Sequence, residues 1–181
     1  MAALLWIRKE SFTIVPDPSA YWSTFQRRLT ELGCEPVLIG ALAALEYRST
    51  PRFTTDVDFL VRSLDGVAEA FRADGYDVQV MAEPGGSPYV VFIRGHGFRV
   101  DALAIETDYQ AAAHARAGSG VLTVEDVLIH KLIAWRAKDQ DDIESILATR
   151  PVLDEAYIDS WVSQWQVDER WAESRQRWLS E

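Results

Sequence analysis

The sequence predicts a mixed α/β core that gives way to an all-helical C-terminal lobe. Three observations carry this. Between Pro36 and Ile105 several short apolar runs of strand length are bounded by Gly, Pro and Asp. Segments of helical periodicity alternate with the first of these runs. Beyond Gly120 only helical patterns remain, and the tail from Asp154 holds four of the seven tryptophans. That order reads as a mixed sheet flanked by helices over residues 1–117, with a helical lobe over 118–181 packed on it.

The elements follow in order. Residues 19–33 form an amphipathic helix with Tyr21, Phe25, Leu29 and Leu32 as its stripe, Ser19 as N-cap and Gly33 as stop. Residues 36–39 are a short buried strand, and Gly40 opens a helix through Tyr47. A strand over 56–61 precedes a helix over 65–73 that ends at Asp74-Gly75. Strands over 76–81 and 89–93 flank the turn Pro84–Pro88, and Arg94–Gly97 turns tightly into a strand over 98–105. A helix begins at Thr123, with Asp126 three places on as a capping arrangement, and runs to about Ala137. Asp139 and Asp142 head a further helical segment that Pro151 ends. Two more helices carry Trp161, Trp165, Trp171 and Trp178, whose spacing points to core packing rather than a stacking platform.

Composition excludes several classes. No apolar stretch approaches a membrane span, and the Ala2–Ile7 run is too short and wrongly flanked for a signal segment. A single cysteine, Cys34, permits no internal disulfide; it agrees with a cytoplasmic location and reads as a packed thiol. The net charge of −10 argues against unaided nucleic-acid binding, which depends on Lys and Arg neutralising phosphates. His96, His114 and His130 lack ligand-spaced partners, which argues against zinc.

Four groups of residues carry chemistry. Asp56 and Asp58 alternate at the head of a strand and so share a face, with Cα atoms about 7 Å apart. Such a pair repels itself unless cations intervene, and it can span two divalent ions roughly 3.5–4 Å apart. Asp101 lies in another apolar strand, where an arginine, hydrogen bonds or a metal must neutralise it. Gly40 and Ala41 stand at a strand-to-helix joint whose free amides suit a phosphate. The run from Lys131 to Asp142 poses a geometric problem. On an unbroken helix these two residues lie roughly 16 Å apart along the axis. Either the helix breaks near Asp139, or Lys131 meets phosphates while the aspartates orient basic side chains or cap a new helix.

With Arg52-x-Thr54-x-Asp56-x-Asp58, Asp101 and the Lys131…Asp139-x-x-Asp142 run in hand, the chain resembles the nucleotidyltransferase superfamily with a polymerase-β-like core. Within it, the chain is similar to the AbiEii-type branch of phage-defence and toxin–antitoxin systems. The resemblance implies a nucleotidyltransferase-like core and transfer of a nucleoside monophosphate from an NTP to a hydroxyl acceptor. It implies two Mg²⁺ ions held by Asp56 and Asp58, with Asp101 completing the site, and phosphates gripped by Gly40, Ala41, Arg52 and Thr54. Arg52 or Lys131 would counter charge on the leaving pyrophosphate, with Asp139 and Asp142 as supporting residues behind them. Where the family has Gly-Gly or Gly-Ser, this chain has Gly40-Ala41. The acceptor stays open between RNA, a protein and an aminoglycoside-like molecule, and an antitoxin-type protein partner is implied. The alternative is a catalytically silent nucleotide- or partner-binding module.

Overall fold

The computed structural model describes residues 18–179. The Ala2–Ile7 run and the side chains of Ser19 and Trp178 lie outside what is described. The chain runs α1 (Pro18–Glu31), β1 (Val37–Ile39), α2 (Gly40–Leu45), β2 (Asp56–Val61), α3 (Val67–Ala73), β3 (Asp77–Ala82), β4 (Pro88–Gly95) and β5 (Phe98–Ala104). The helices α4 (Asp108–Arg116), α5 (Val124–Ala134), α6 (Ala137–Leu147), α7 (Glu155–Gln164) and α8 (Asp168–Leu179) follow. The expected α/β class and the helical C-terminal lobe are therefore what the chain adopts.

The sheet has the order β1-β2-β5-β4-β3. Among the described strand pairs, β2 with β5 alone is parallel, and the other three are antiparallel. Hairpin β4–β5 closes through His96 and Gly97, both at positive φ (53° and 83°), the backbone that a two-residue primed turn requires. One face of the sheet carries Val57, Phe59, Ile93, Val100 and Ala102, all fully buried. Phe25 of α1 packs there against Phe71 of α3 and against Phe98, at ring separations of 6.2 and 5.2 Å. Burying whole aromatic side chains in this way supplies a large share of the folding free energy, about 2–3 kcal/mol each. Cys34 is fully buried, as a packed thiol should be.

Two segments depart from expectation. Helix α4 falls in a stretch for which no element was read. Its signal was local: Thr107 accepts from the Gln110 amide while Gln110 Oε1 accepts from the Thr107 amide, a reciprocal capping box. The second is the long helix expected to reach about Ala137. It stops at Ala134, because Trp135 takes a left-handed conformation with φ 50°, and α6 starts afresh at Ala137. The break thus lies a few residues before Asp139. Among the described residues, no helix is long and apolar enough to cross a membrane.

The connection from α2 to β2, residues 46–55, is tied to the C-terminal helices. The Ser49 amide donates to the Ser145 carbonyl at 3.0 Å and the Thr50 amide to the Ser145 hydroxyl at 3.2 Å. The Tyr47 hydroxyl donates to the Leu122 carbonyl at 2.7 Å. The segment that delivers the chain into Asp56 is therefore held by α6 and by the approach to α5.

Candidate functional site

The parallel register pairs Asp58 with Asp101 and Asp56 with Arg99. Because side chains alternate along each strand, Asp56, Asp58 and Asp101 project from one face of the sheet. That face is opposite the buried aromatic cluster. It looks into a cleft of about 470 Å³ whose lining includes all three aspartates, Gly40, Ala41, Arg52, Thr54, Lys131 and Asp139. Asp142 does not line it.

The three carboxylates differ in their company. Asp56 pairs with Arg99 at 3.0 Å, and Asp101 with Arg94 at 2.6 Å. Arg94 also donates to the carbonyls of Ile93 and Val100. Asp58 has neither a hydrogen bond nor an ion pair among the described residues. Burial, and then the charges of Asp101 and Asp56, push it up to about 6 against the pull of Lys131 and Lys138. It is an orphaned carboxylate flanked by two others.

Gly40 makes room for it. A Cβ there would lie 2.2 Å from Asp58 Oδ2, and the residue has φ 70°, so any side chain is excluded twice over. Sequence reasoning assigned this glycine to close approach of a phosphate; the atom it clears is the Asp58 carboxylate. Ile39, at the N-cap of α2, offers no side-chain cap, which leaves the first amides of that helix open at the cleft.

The opposite wall is a buried ionic cluster. The break after α5 turns α6 back, so Lys131 Nζ reaches both Asp139 Oδ1 (3.2 Å) and Asp142 Oδ2 (2.7 Å). Of the alternatives open from sequence, the broken helix is the one realised. Neither carboxylate is exposed at all, so a solvated salt-bridge face is excluded. Asp139 also accepts from Arg136 Nε at 2.6 Å and from the Arg136 amide. Asp142 takes Arg52 Nε at 2.9 Å, and Arg48 Nη1 as well. Burial works to raise both aspartates, but the hydrogen bonds and charges of Lys131, Arg52 and Arg136 override it and hold them below the usual carboxylate range. Arg48, Arg94 and Arg136 carry no role in the sequence reading: the partner of Arg48 lies ninety-four residues away, that of Arg94 comes across the β4–β5 hairpin, and that of Arg136 depends on the break before α6. Lys131 is an organiser locked between two carboxylates rather than a mobile cation. Thr54 shares its hydroxyl with the Asp56 amide at 3.3 Å and so braces the strand entry.

Arg52 leaves Nη1 uncommitted, and Lys138 has no ion pair among the described residues; both face the cleft. One wall is thus rich in carboxylate and the other offers spare cationic donors. Oxygen donors suit a hard divalent ion such as Mg²⁺. Asp58, unpartnered and raised by burial and then by its acidic neighbours, is where such an ion would relieve most repulsion. As they stand, no three acidic, His or Cys side chains among the described residues form a metal-holding group. The expected convergence of three aspartates is not preformed. Arg99 and Asp56 are both well exposed, so that pair is worth only about 0–1 kcal/mol and yields readily to an ion. Arg94 is held by two carbonyls and releases Asp101 less easily. The residues therefore fit a divalent ion best at Asp58 with Asp56.

No protein-family model matches the chain, and no curated protein sequence matches it. Solved structures similar to it include an antigenic nucleotidyltransferase-like protein from Paracoccidioides brasiliensis and a putative nucleotidyltransferase from H. pylori. The first is 17% identical with a TM-score of 0.44, over 72% of this chain and 74% of that one. The second is 17% identical with a TM-score of 0.48, over 84% and 83%. At such distances the reading of the site rests on its own residues.

Two outcomes are expected. Replacing Asp142 with Asn leaves three cations short of a buried partner and should cost about 3 kcal/mol in chemical denaturation. In the parent chain both depressed aspartates contribute fully above about pH 4 and lose that contribution as pH falls below it; the variant should show a shallower acid limb. Asp58 has the opposite sign. Its raised value means that ionisation destabilises the fold as pH rises from about 4 to 6. Asp58→Asn should therefore be more stable than the parent at pH 7.5, by on the order of 2 kcal/mol. The difference should vanish at pH 4, and equal thermal midpoints at both pH values would refute it.

Proposed function

We propose that the protein is a Mg²⁺-dependent nucleotidyltransferase that moves a nucleoside monophosphate from an NTP to a hydroxyl acceptor. The observation that carries this reading is the orphaned Asp58 carboxylate between Asp56 and Asp101, facing spare cationic donors across one cleft. A site so arranged has a negative wall that wants cations and a positive wall that wants anions. A metal triphosphate satisfies both.

Asp56 and Asp58 would hold the ion, which when bound neutralises phosphate charge and acidifies a hydroxyl beside it. The open amides at Gly40 and Ala41 bind phosphate oxygens. Arg52, held in place through its two bonds to Asp142, directs its remaining Nη1 at the same oxygens. Pre-set donors of this kind act where charge accumulates on the departing group and need not reorganise during the reaction. The acceptor oxygen attacks the α-phosphorus, the bond to the β-phosphate oxygen breaks, and pyrophosphate leaves. Asp101 would take the hydroxyl proton once Arg94 moves aside. Lys131 acts through Arg52 and Arg136 by fixing the shared aspartates, not by touching the phosphates itself.

The acceptor is a hydroxyl on RNA, a protein side chain or an aminoglycoside-like molecule, and an acidic surface favours the cationic last of these. A toxin or phage-defence setting of the AbiEii type, with an antitoxin-type protein partner, belongs to the same proposal. Expression in a bacterial host should then arrest growth, and Asp56→Ala should relieve the arrest. Normal growth with the soluble parent chain present would count against the toxin role.

The ion pairs at Asp56 and Asp101 favour a second reading, a silent nucleotide-binding module in which the arginines have taken the ion's place. One assay separates the two. The chain is incubated with α-labelled NTPs, Mg²⁺ and each acceptor class. Label transfer with pyrophosphate release is expected, lost with EDTA and reduced at least a thousandfold in Asp58→Asn. Tight nucleotide binding without turnover, unchanged in Asp56→Asn and Asp58→Asn, would establish the silent module instead.

A further inference from the structure

The cleft has a second, aromatic region that the phosphate chemistry does not use. Leu103 stands one alternate position beyond Asp101 on β5, on the same face and about 7 Å along the strand. From there the lining continues through Tyr109, His130 and Trp165. Tyr109 is nearly inaccessible, and its hydroxyl is fixed to the Asp126 carbonyl at 3.1 Å. Its ring packs against His130 at 5.4 Å, Trp161 at 5.0 Å and Trp165 at 6.3 Å. Of the C-terminal tryptophans, Trp171 is buried and Trp161 packs against the core, as expected, but Trp165 is 40% exposed. A large indole left in water at the rim of a cleft, on a rigid aromatic backing, offers a face for stacking.

Polar groups accompany that face. Neither ring nitrogen of His130 has a hydrogen-bond partner among the described residues. Desolvation, with the charge of Lys131 beside it, brings this imidazole down to about 4, so it is neutral at pH 7 and presents one donor and one acceptor. Gln110 accepts two backbone N–H groups through Oε1, which fixes the orientation of its amide and leaves Nε2 free to donate into the cleft. A stacking ring with an adjacent donor and acceptor is the complement of a nucleobase.

We infer that this aromatic end is the subsite for the base of the donor nucleotide: Trp165 stacks on the base, and His130 with Gln110 reads its edge. The inference rests on the nucleotidyl-transfer reading and extends it, because the offset from Asp101 to Leu103 and beyond is of the order a ribose spans between phosphate and base. Helix α7, with Trp165 at its C-cap, then has a role in substrate choice as well as packing.

Calorimetry on the full chain with Mg²⁺ tests this. ATP, CTP, GTP, UTP and inorganic tripolyphosphate are titrated into the parent chain, Trp165→Ala, Trp165→Phe and His130→Gln, each with its thermal midpoint recorded. Trp165→Ala should weaken nucleotide binding about tenfold, the size of one base–aromatic stack, and leave tripolyphosphate unchanged. Trp165→Phe should keep most of the affinity, and His130→Gln should alter the ranking of the four bases. Equal losses for nucleotides and tripolyphosphate would mark Trp165 as structural and overturn the inference. So would nucleotide binding that none of the variants changes, with the transferase reading intact. If neither nucleotide nor tripolyphosphate binds the parent chain, that reading falls and the base subsite with it.

Discussion

The ammonium of Lys131, buried between Asp139 and Asp142, is the interaction on which the rest of the site depends. It exists because Trp135 ends α5 in a left-handed turn and α6 folds back, bringing together residues that one continuous helix would hold far apart. From Asp142 the cluster extends to Arg48 and Arg52, and these, with Ser145, fasten the segment that leads into β2. The strand that presents Asp56 and Asp58 is thereby positioned from the C-terminal helices. Such a cluster contributes little net stability over an apolar replacement, since desolving its charges costs about what their attraction returns. Its contribution is to geometry. Removing one member leaves the others buried without compensation, which is why the arrangement holds as a unit.

Across the cleft the logic is reversed. Asp139 and Asp142 are over-supplied with cations, whereas Asp58 has none in contact and two carboxylates beside it. A fold selected only for stability would place a neutral residue there. Gly40, at positive φ and with no space for a side chain, is a second local cost accepted for the same carboxylate. Destabilising features that converge on one atom group are the pattern expected where function rather than folding sets the sequence.

Much of this was legible in the sequence. Alternation alone placed Asp56 and Asp58 on one face, and an apolar run marked the strand holding Asp101; the parallel register then put Asp101 directly beside Asp58. The 16 Å problem between Lys131 and Asp142 correctly demanded either a break or separate roles. What escaped were long-range partners. Arg94 and Arg99 neutralise Asp101 and Asp56 only because strand pairing brings them there, and Arg48 meets Asp142 across ninety-odd residues. Helix α4 was missed although Thr107-x-x-Gln110 announces it, since that signal is only four residues long. Trp165 was grouped with its neighbours because helical spacing does not say which tryptophan a cleft will expose.

The proposed function requires Asp58 to seat a divalent cation within a nucleotide cleft. The most direct measurement is anomalous diffraction from crystals soaked with Mn²⁺ and a non-hydrolysable NTP analogue. An anomalous peak bonded to oxygens of Asp58 and Asp56, with Arg99 swung away and phosphates against Gly40 and Arg52, is the result expected. A structure in which Asp58 stays without a ligand, while Arg99 and Arg94 keep their hold on Asp56 and Asp101, would contradict it.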